Sequence, residues 1–201
     1  MNTHTIIGQS LLVGKMDQIL SGGRIVHAYL FTGPAGAGKK TMSSLFARAL
    51  ICEGQGDRPC DVCHTCRQFL TGNHPDVLWI RRQEDKKSIL IEQIREMQEK
   101  IKVKPYQAGR RICFIENAQI MTEQAQNALL KTLEEPPSYT LFFLLADNTN
   151  ALLPTILSRC QAFRVGSMPR EDITRILDSR LKLSREESMT YAALSQGIPG
   201  K

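Results

Sequence analysis

The stretch His27-Ala-Tyr-Leu-Phe-Thr-Gly-Pro-Ala-Gly-Ala-Gly-Lys-Lys-Thr41 decides the fold of this chain. Its apolar first half is typical of a buried strand, its glycines of a tight turn, and its last residues of the start of a helix. Gly33, Gly38 and Lys39 match the pattern G-x-x-x-x-G-K, in which backbone N–H groups cradle phosphate oxygens and the lysine reaches the β- and γ-phosphates. The stretch therefore predicts a nucleotide loop inside a parallel α/β sheet.

One position of this loop departs from the pattern. Lys40 stands where a Ser or Thr hydroxyl would bind Mg²⁺. Thr41 does not restore the pattern by a shift of one residue, because the shifted loop would need glycines at Pro34 and Lys39. The stretch is therefore a degenerate nucleotide-binding loop, whose candidate binding residues are Gly33, Gly36, Gly38, Lys39, Lys40 and Thr41.

Composition and charge exclude some classes of protein and leave others open. The chain has 201 residues and a net charge of +6. It has no apolar run near the roughly 20 residues that a membrane span needs. Met1–Thr5 lacks the basic region and apolar core of a secretory signal, so we expect a cytoplasmic protein without a membrane partner. Ten Lys and Arg against five acids between Arg81 and Arg111 fit either an anionic partner such as DNA or a solvated surface.

Strand and helix patterns alternate along most of the chain, which predicts a mostly parallel sheet with helices on both sides. The expected strands are Ala28–Thr32, Val77–Ile80, Arg111–Ile115, Thr140–Ala146 and Ala162–Val165, with Ser88–Ile91 extended. The expected helices are Ser10–Leu20, Thr41–Ile51, one from Glu92 closed by Pro105, and Thr122–Glu134 with Thr122 as N-cap. After Met168-Pro169 two amphipathic helices follow, so we expect one domain over 1–165 and the start of a helical lid domain over 166–201.

A cysteine module interrupts the first domain at 52–66. Its spacing is C-x7-C-x2-C-x2-C, and in a reduced cytosol this pattern indicates a metal site rather than disulfides. Four thiolates suit a closed, structural zinc site, with His64 as the substitute ligand if Cys52 is not used. The alternative is an iron–sulfur cluster, but the fourth cysteine followed by proline of that pattern is missing. The predicted ligands are Cys52, Cys60, Cys63 and Cys66.

The second half of a nucleotide site would follow the apolar strand that ends at Ile115. An ATPase needs an acid there for Mg²⁺ and usually a base that positions water. This chain has Glu116 in the metal position and Asn117, which accepts no proton at neutral pH, in the base position. Asn148, near the end of the next apolar strand, is a further candidate, and for it and Asp147 the alternative is a turn at the end of a strand. We predict negligible hydrolysis, and binding of ATP or ADP with Mg²⁺ is left open.

Four segments in one order carry a resemblance to a known family. They are His27-Ala-Tyr-Leu-Phe-x-Gly-Pro, the cysteine module, Asn127-Ala-Leu-Leu-Lys-Thr-Leu-Glu-Glu-Pro-Pro137 and Thr155-Ile-Leu-Ser-Arg-Cys160. Together they resemble the AAA+ subunits of bacterial DNA polymerase III clamp loaders, over nearly the whole chain. Within that family the gamma/tau motor type has an intact G-K-[ST] and an Asp-Glu pair. The departures of this chain are similar to the delta-prime type, as are Asn73-His74-Pro75-Asp76 and Gly197-Ile198-Pro199-Gly200.

The resemblance implies a role in an assembly. Arg159 would be an arginine finger that acts in trans on the ATP of a neighbouring subunit, in a chain with no ATPase of its own. The implied partners are the gamma/tau and delta subunits, with primed DNA and, indirectly, the sliding clamp. A lid arginine of the motor type would fall near Gly200, and a collar domain would follow Lys201. The alternatives are the gamma/tau motor itself and a zinc-containing DNA-binding module.

Overall fold

The fold is one parallel sheet with helices on both faces. The computed structural model describes residues 6–181 and 183–201. The strands are β1 (Ala28–Thr32), β2 (Val77–Ile80), β3 (Arg111–Ile115), β4 (Thr140–Ala146) and β5 (Gln161–Arg164), and they lie in the order β2-β3-β4-β1-β5. Every pairing between them is parallel.

Two core clusters cover the two faces of the sheet. The helices are α1 (Ser10–Leu20), α2 (Lys39–Ile51), α3 (His64–Thr71), α4 (Ile91–Lys102), α5 (Glu123–Glu134), α6 (Pro154–Leu157), α7 (Arg170–Leu181) and α8 (Arg185–Leu194). Tyr29 and Phe31 of β1 pack with α1 and α2, while Ala28 and Leu30 lie in the cluster with α4 and α5. Side chains alternate between faces along a strand, so burial on both faces explains the unbroken apolar runs.

The expected fold class and its long elements are confirmed. The Thr122 hydroxyl accepts a hydrogen bond from the N–H of Ala125, as expected of an N-cap. Strand β5 begins one residue earlier than expected, α2 begins at Lys39, and Ile91 already begins α4, so Ser88–Ile91 is extended only in part. Ile89 forms an isolated parallel bridge with Met121. Residues 1–5, which carried the expectation about a signal, lie outside the described residues.

The C-terminal segment packs back onto the nucleotide loop. Helices α7 and α8 contact each other. The turn after α8 returns to the core, where the N–H of Gly200 donates to the carbonyl oxygen of Gly36 at 3.0 Å. Among the described residues, no helix has both the length and the apolar character of a membrane span.

Candidate functional site

The nucleotide loop lies between β1 and α2, at the carboxyl edge of the sheet. Gly33 follows β1 with a φ of 151°, and a Cβ at this position would overlap the carbonyl oxygen of Val165. Only glycine fits such a close approach of two backbones. The glycine at position 33 therefore has a local steric cause. The backbone of Val165, directly after β5, lies against the loop at this point.

The ammonium group of Lys39 is fully engaged within the protein. It donates hydrogen bonds to the carbonyl oxygens of Gly33 at 2.7 Å and Pro34 at 2.9 Å. Its third hydrogen bond and an ion pair go to Oδ1 of Asp147 at 2.7 Å. An ammonium has three N–H donors, so none is left for a phosphate. The side chain of Lys39 is 9% exposed and that of Asp147 is 35% exposed.

Glu116 is held between two cations. Lys40 Nζ lies 3.1 Å from one of its carboxylate oxygens and Arg81 Nε lies 2.9 Å from the other. Both cations also lie over the ring of Trp79, at 5.0 Å and 4.8 Å from its centroid. The same ring stacks on Phe114, with the two ring centroids 4.0 Å apart. The carboxylate in the expected magnesium position therefore has cationic partners already.

Most of the predicted nucleotide residues lie around one cavity. This cavity of about 280 Å³ is lined by the loop, Glu116, Asn117 and Asp147. Asn117 has a left-handed backbone with a φ of 56°, which asparagine tolerates well, and it precedes the 3₁₀ turn Ala118–Ile120. Thr41 lines a separate cavity of about 310 Å³ between the loop and α7.

Asn148 is not brought to this cavity. It is exposed, and its Oδ1 accepts a hydrogen bond from the N–H of Asn150, which is the turn that formed the alternative interpretation. Its neighbour Asp147 is the residue that faces the loop. The parallel register of β1 and β4, with Thr32 opposite Ala146, would have indicated Asp147, because both strands end at the same edge. Arg81 and Trp79 gave no comparable signal in the sequence.

The four cysteines of the module form one cluster. Their Sγ atoms all lie within 4.8 Å of one another, and His64 is not among them. Four sulfurs at 2.3 Å from a tetrahedral Zn²⁺ would be about 3.8 Å apart, so a small contraction brings them to ligand distance. A Cβ at Gly54 would lie 2.6 Å from the Cys60 sulfur, so the backbone approaches the cluster closely. The donor set fits a structural zinc ion.

Backbone N–H groups point at the sulfurs of Cys52, Cys60 and Cys63, and such hydrogen bonds favour a thiolate. The N–H groups of Gly54 and Cys60 point at the sulfur of Cys52, and the N–H of Cys66 points at the sulfur of Cys63. Hydrogen bonds from the backbone of Cys63 and Val62 lower the pKa of Cys60 to about 6. Burial raises the pKa of Cys52 and Cys66 in the metal-free chain.

Arg159 lies apart from these two sites. Its guanidinium donates to the carbonyl oxygen of Thr155 at 3.0 Å and to Oε1 of Glu134 at 2.8 Å, with a longer contact to the Ser158 hydroxyl. None of these partners belongs to the nucleotide loop. The side chain is one-third exposed, so it faces solvent at the end of α6.

Comparison with known proteins gives sequence relatives over most of the chain. Residues 8–169 match the family model described as DNA polymerase III, delta subunit. The chain is 36% identical over 174 residues to DNA polymerase III subunit delta' of Haemophilus influenzae, which covers 86% of this chain and 53% of that protein. For delta' of Escherichia coli the identity is 32% over 187 residues, which covers 92% of this chain and 56% of that protein. For the tau subunit of Escherichia coli it is 34% over 174 residues, covering 86% and 27%.

Solved structures share the fold. A DNA polymerase III gamma subunit-related protein of Thermotoga maritima has a TM-score of 0.57 at 23% identity, covering 92% of this chain and 58% of that one. The Thermotoga maritima RuvB Holliday junction branch migration motor has a TM-score of 0.60 at 14% identity, covering 96% and 58%. The chain spans about half the length of the delta' relatives it matches.

Proposed function

This chain belongs to the DNA polymerase III delta subunit family, and we propose that it works as the delta' subunit of a bacterial clamp loader. In this role it supports the loading of a sliding clamp onto primed DNA without hydrolysing ATP itself. Its partners would be the gamma/tau and delta subunits, in the cytoplasm where the chromosome is replicated. The relatives named delta' that span up to 92% of the chain support this assignment.

The pairing of Glu116 carries the proposal that the chain has no ATPase of its own. A magnesium ion at this carboxylate would have to compete with Lys40 and Arg81, which lie 3.1 Å and 2.9 Å from its oxygens. The next residue, Asn117, offers no base to position water. Two requirements for phosphoryl transfer are therefore missing at one place. Magnesium-dependent turnover by the purified chain would instead indicate the motor type.

We assign the two domains and the metal in the same proposal. Residues 1–165 form the AAA+ domain with the cysteine module inserted, and 166–201 begin the helical lid. The cysteine cluster holds a structural zinc ion, which has no open position for catalysis. Cys52, Cys60, Cys63 and Cys66 would be its ligands, since their sulfurs already lie within 4.8 Å of one another.

Arg159 would act on the ATP of a neighbouring subunit. Its side chain is one-third exposed, and within the described residues its hydrogen bonds leave the Nε donor without a partner. A guanidinium supplied in trans stabilises the charge that develops on the transferring phosphoryl group, an effect of about 10³–10⁵ in rate. The ion pair with Glu134 is on the surface and worth at most about 1 kcal/mol, so it would be exchanged readily for a phosphate.

The experiment replaces Arg159 by Ala in the assembled complex. We expect Arg159→Ala to lower hydrolysis at the adjacent site by about 10³-fold or more, measured as DNA- and clamp-stimulated ATPase. Arg159→Lys keeps the charge but loses the planar fork and should rescue little. The control is Arg164→Ala, an exposed arginine on β5. Unchanged ATPase in a complex that still assembles with Arg159→Ala would rule out the finger.

A further inference from the structure

We propose that Asp147 takes the place of a nucleotide phosphate at Lys39 and so keeps ATP and ADP out of the loop. The inference rests on the proposed identity of Gly33–Thr41 as a degenerate nucleotide loop. Its starting point is the count of donors on Lys39: one goes to Gly33, one to Pro34 and the third to Asp147 at 2.7 Å. A bound β- or γ-phosphate needs that third donor.

Electrostatic repulsion between Asp147 and a phosphate would exclude the nucleotide more strongly than competition for one hydrogen bond alone. A phosphate that reached Lys39 would also lie next to the carboxylate of Asp147, and two like charges at such a distance repel in a partly buried site. The other cation of the loop, Lys40, is already paired with Glu116, which also binds Arg81. Lys39 and Lys40, the two cations of the loop, are thus both paired with carboxylates of this chain.

The fold holds Asp147 in this position. It directly follows β4, which pairs with β1 in parallel so that Ala146 lies opposite Thr32. The N–H of Asp147 donates to Oε1 of Gln119 at 3.2 Å, which fixes the backbone beside the loop. Its side chain remains 35% exposed, so a substitution here should leave the core packed.

The test measures nucleotide affinity of the isolated chain by calorimetric titration with ADP and with ATP. Asp147→Asn keeps the size of the side chain and removes its charge, and we expect it to bind at least about tenfold more tightly than the unchanged chain. Asp147→Thr serves as a second variant, and thermal unfolding checks that both are folded. Adding Lys39→Ala to Asp147→Asn should abolish the gain, since Lys39 is the group released.

A matched control separates this local effect from overall charge. Glu99→Gln also removes one negative charge, from an exposed pair with Lys102 at the end of α4. It should leave the affinity unchanged, and an equal gain in this variant would overturn the proposal. The proposal would also be overturned if both Asp147 variants bound no better than the unchanged chain, or if the double variant kept the gain.

Magnesium provides a further readout. Because Lys40 and Arg81 engage Glu116, the affinity gained in Asp147→Asn should be the same with Mg²⁺ and with EDTA. A gain that requires Mg²⁺ would contradict the pairing of Glu116. Binding by the isolated chain does not depend on Arg159 or on partner subunits, so failure here and failure of the proposed clamp-loader role are distinguishable.

Discussion

At the scale of single residues, buried Asp76 shows how one carboxylate organises a loop. It is fully buried and accepts hydrogen bonds from the N–H groups of Tyr106, Gln107 and Ala108. Arg111, itself nearly buried, lies 3.5 Å away. The segment Asn73-His74-Pro75-Asp76, which indicated the family in the sequence, therefore has a structural purpose: it ties the region after α4 to the start of β2.

Replacing Asp76 by Asn should lower the free energy of unfolding by about 3 kcal/mol, since the buried Arg111 loses its counter-charge. Burial alone would raise the pKa of Asp76, but the three N–H groups and Arg111 outweigh it and lower this pKa below 3.8. The stability that Asp76 contributes is therefore present above the unfolded pKa and lost as pH falls through the folded pKa. Urea unfolding of the unchanged chain and of Asp76→Asn at several acidic pH values measures this contribution to the free energy of unfolding.

The matched control for this change is Asp178→Asn, an exposed aspartate on α7. It should leave the unfolding free energy within about 0.5 kcal/mol of the unchanged chain. If Asp76→Asn were as stable as Asp178→Asn, or retained the full acid dependence, the charge of Asp76 would not be what holds the loop.

The unusual residues of the nucleotide site could be identified from the sequence, but the ion pairs that they form could not. Lys40, Glu116 and Asn117 each departed from a local pattern, so each was visible separately. The contact of Lys40 with Glu116 spans 76 residues of chain, and that of Lys39 with Asp147 spans 108. Such contacts depend on strand register and side-chain packing, and a pattern within one segment contains neither.

At the scale of elements, burial and length explain which strands and helices could be predicted from the sequence. The strands β1, β3 and β4 are mostly apolar and buried along nearly their whole length because both faces of the sheet are covered. The helices α3 and α6 were missed because eight and four residues give too little periodicity to recognise. The start of α3 also lacked a recognisable N-cap residue, since the sulfur of Cys63 accepts the capping hydrogen bond in place of the usual hydroxyl.

Removing the metal should loosen this module and α3 together. Chelation of the purified chain, or Cys60→Ser, should lower the melting temperature by on the order of 10 °C, because the cluster links the end of α2 to the start of α3. Metal analysis of the chain purified without chelator should find one zinc. The ion pair between Arg48 of α2 and Asp61 at 3.1 Å would still connect the module to the domain.

Cys160→Ser is the control, because Cys160 lies outside the cluster and burial raises its pKa to about 12. It should keep the full zinc content. Equal melting temperatures with and without chelator would contradict a structural metal, and iron with acid-labile sulfide would indicate the iron–sulfur alternative instead.

At the scale of the whole molecule, backbone contact joins the C-terminal segment to the nucleotide loop. A Cβ at Gly200 would lie 2.9 Å from the Cα of Gly36, so the two glycines allow an approach that side chains would prevent. Gly200 stands where the family resemblance placed a nucleotide-sensing arginine of the motor type. The sequence showed the helices α7 and α8, but their return to the loop could not be predicted from amphipathic patterns.

Trp79 has a consequence for how this molecule can be observed. It is the one tryptophan of the chain, and its ring contacts Phe114 of β3, Lys40 of α2 and Arg81, which directly follows β2. Lys40→Ala should uncover the ring and shift its fluorescence to longer wavelength, whereas Lys15→Ala, on the exposed side of α1, should not. An equal spectrum in both variants would contradict the contact. The fluorescence of Trp79 therefore reports on Lys40 and Arg81, the two cations that pair with Glu116.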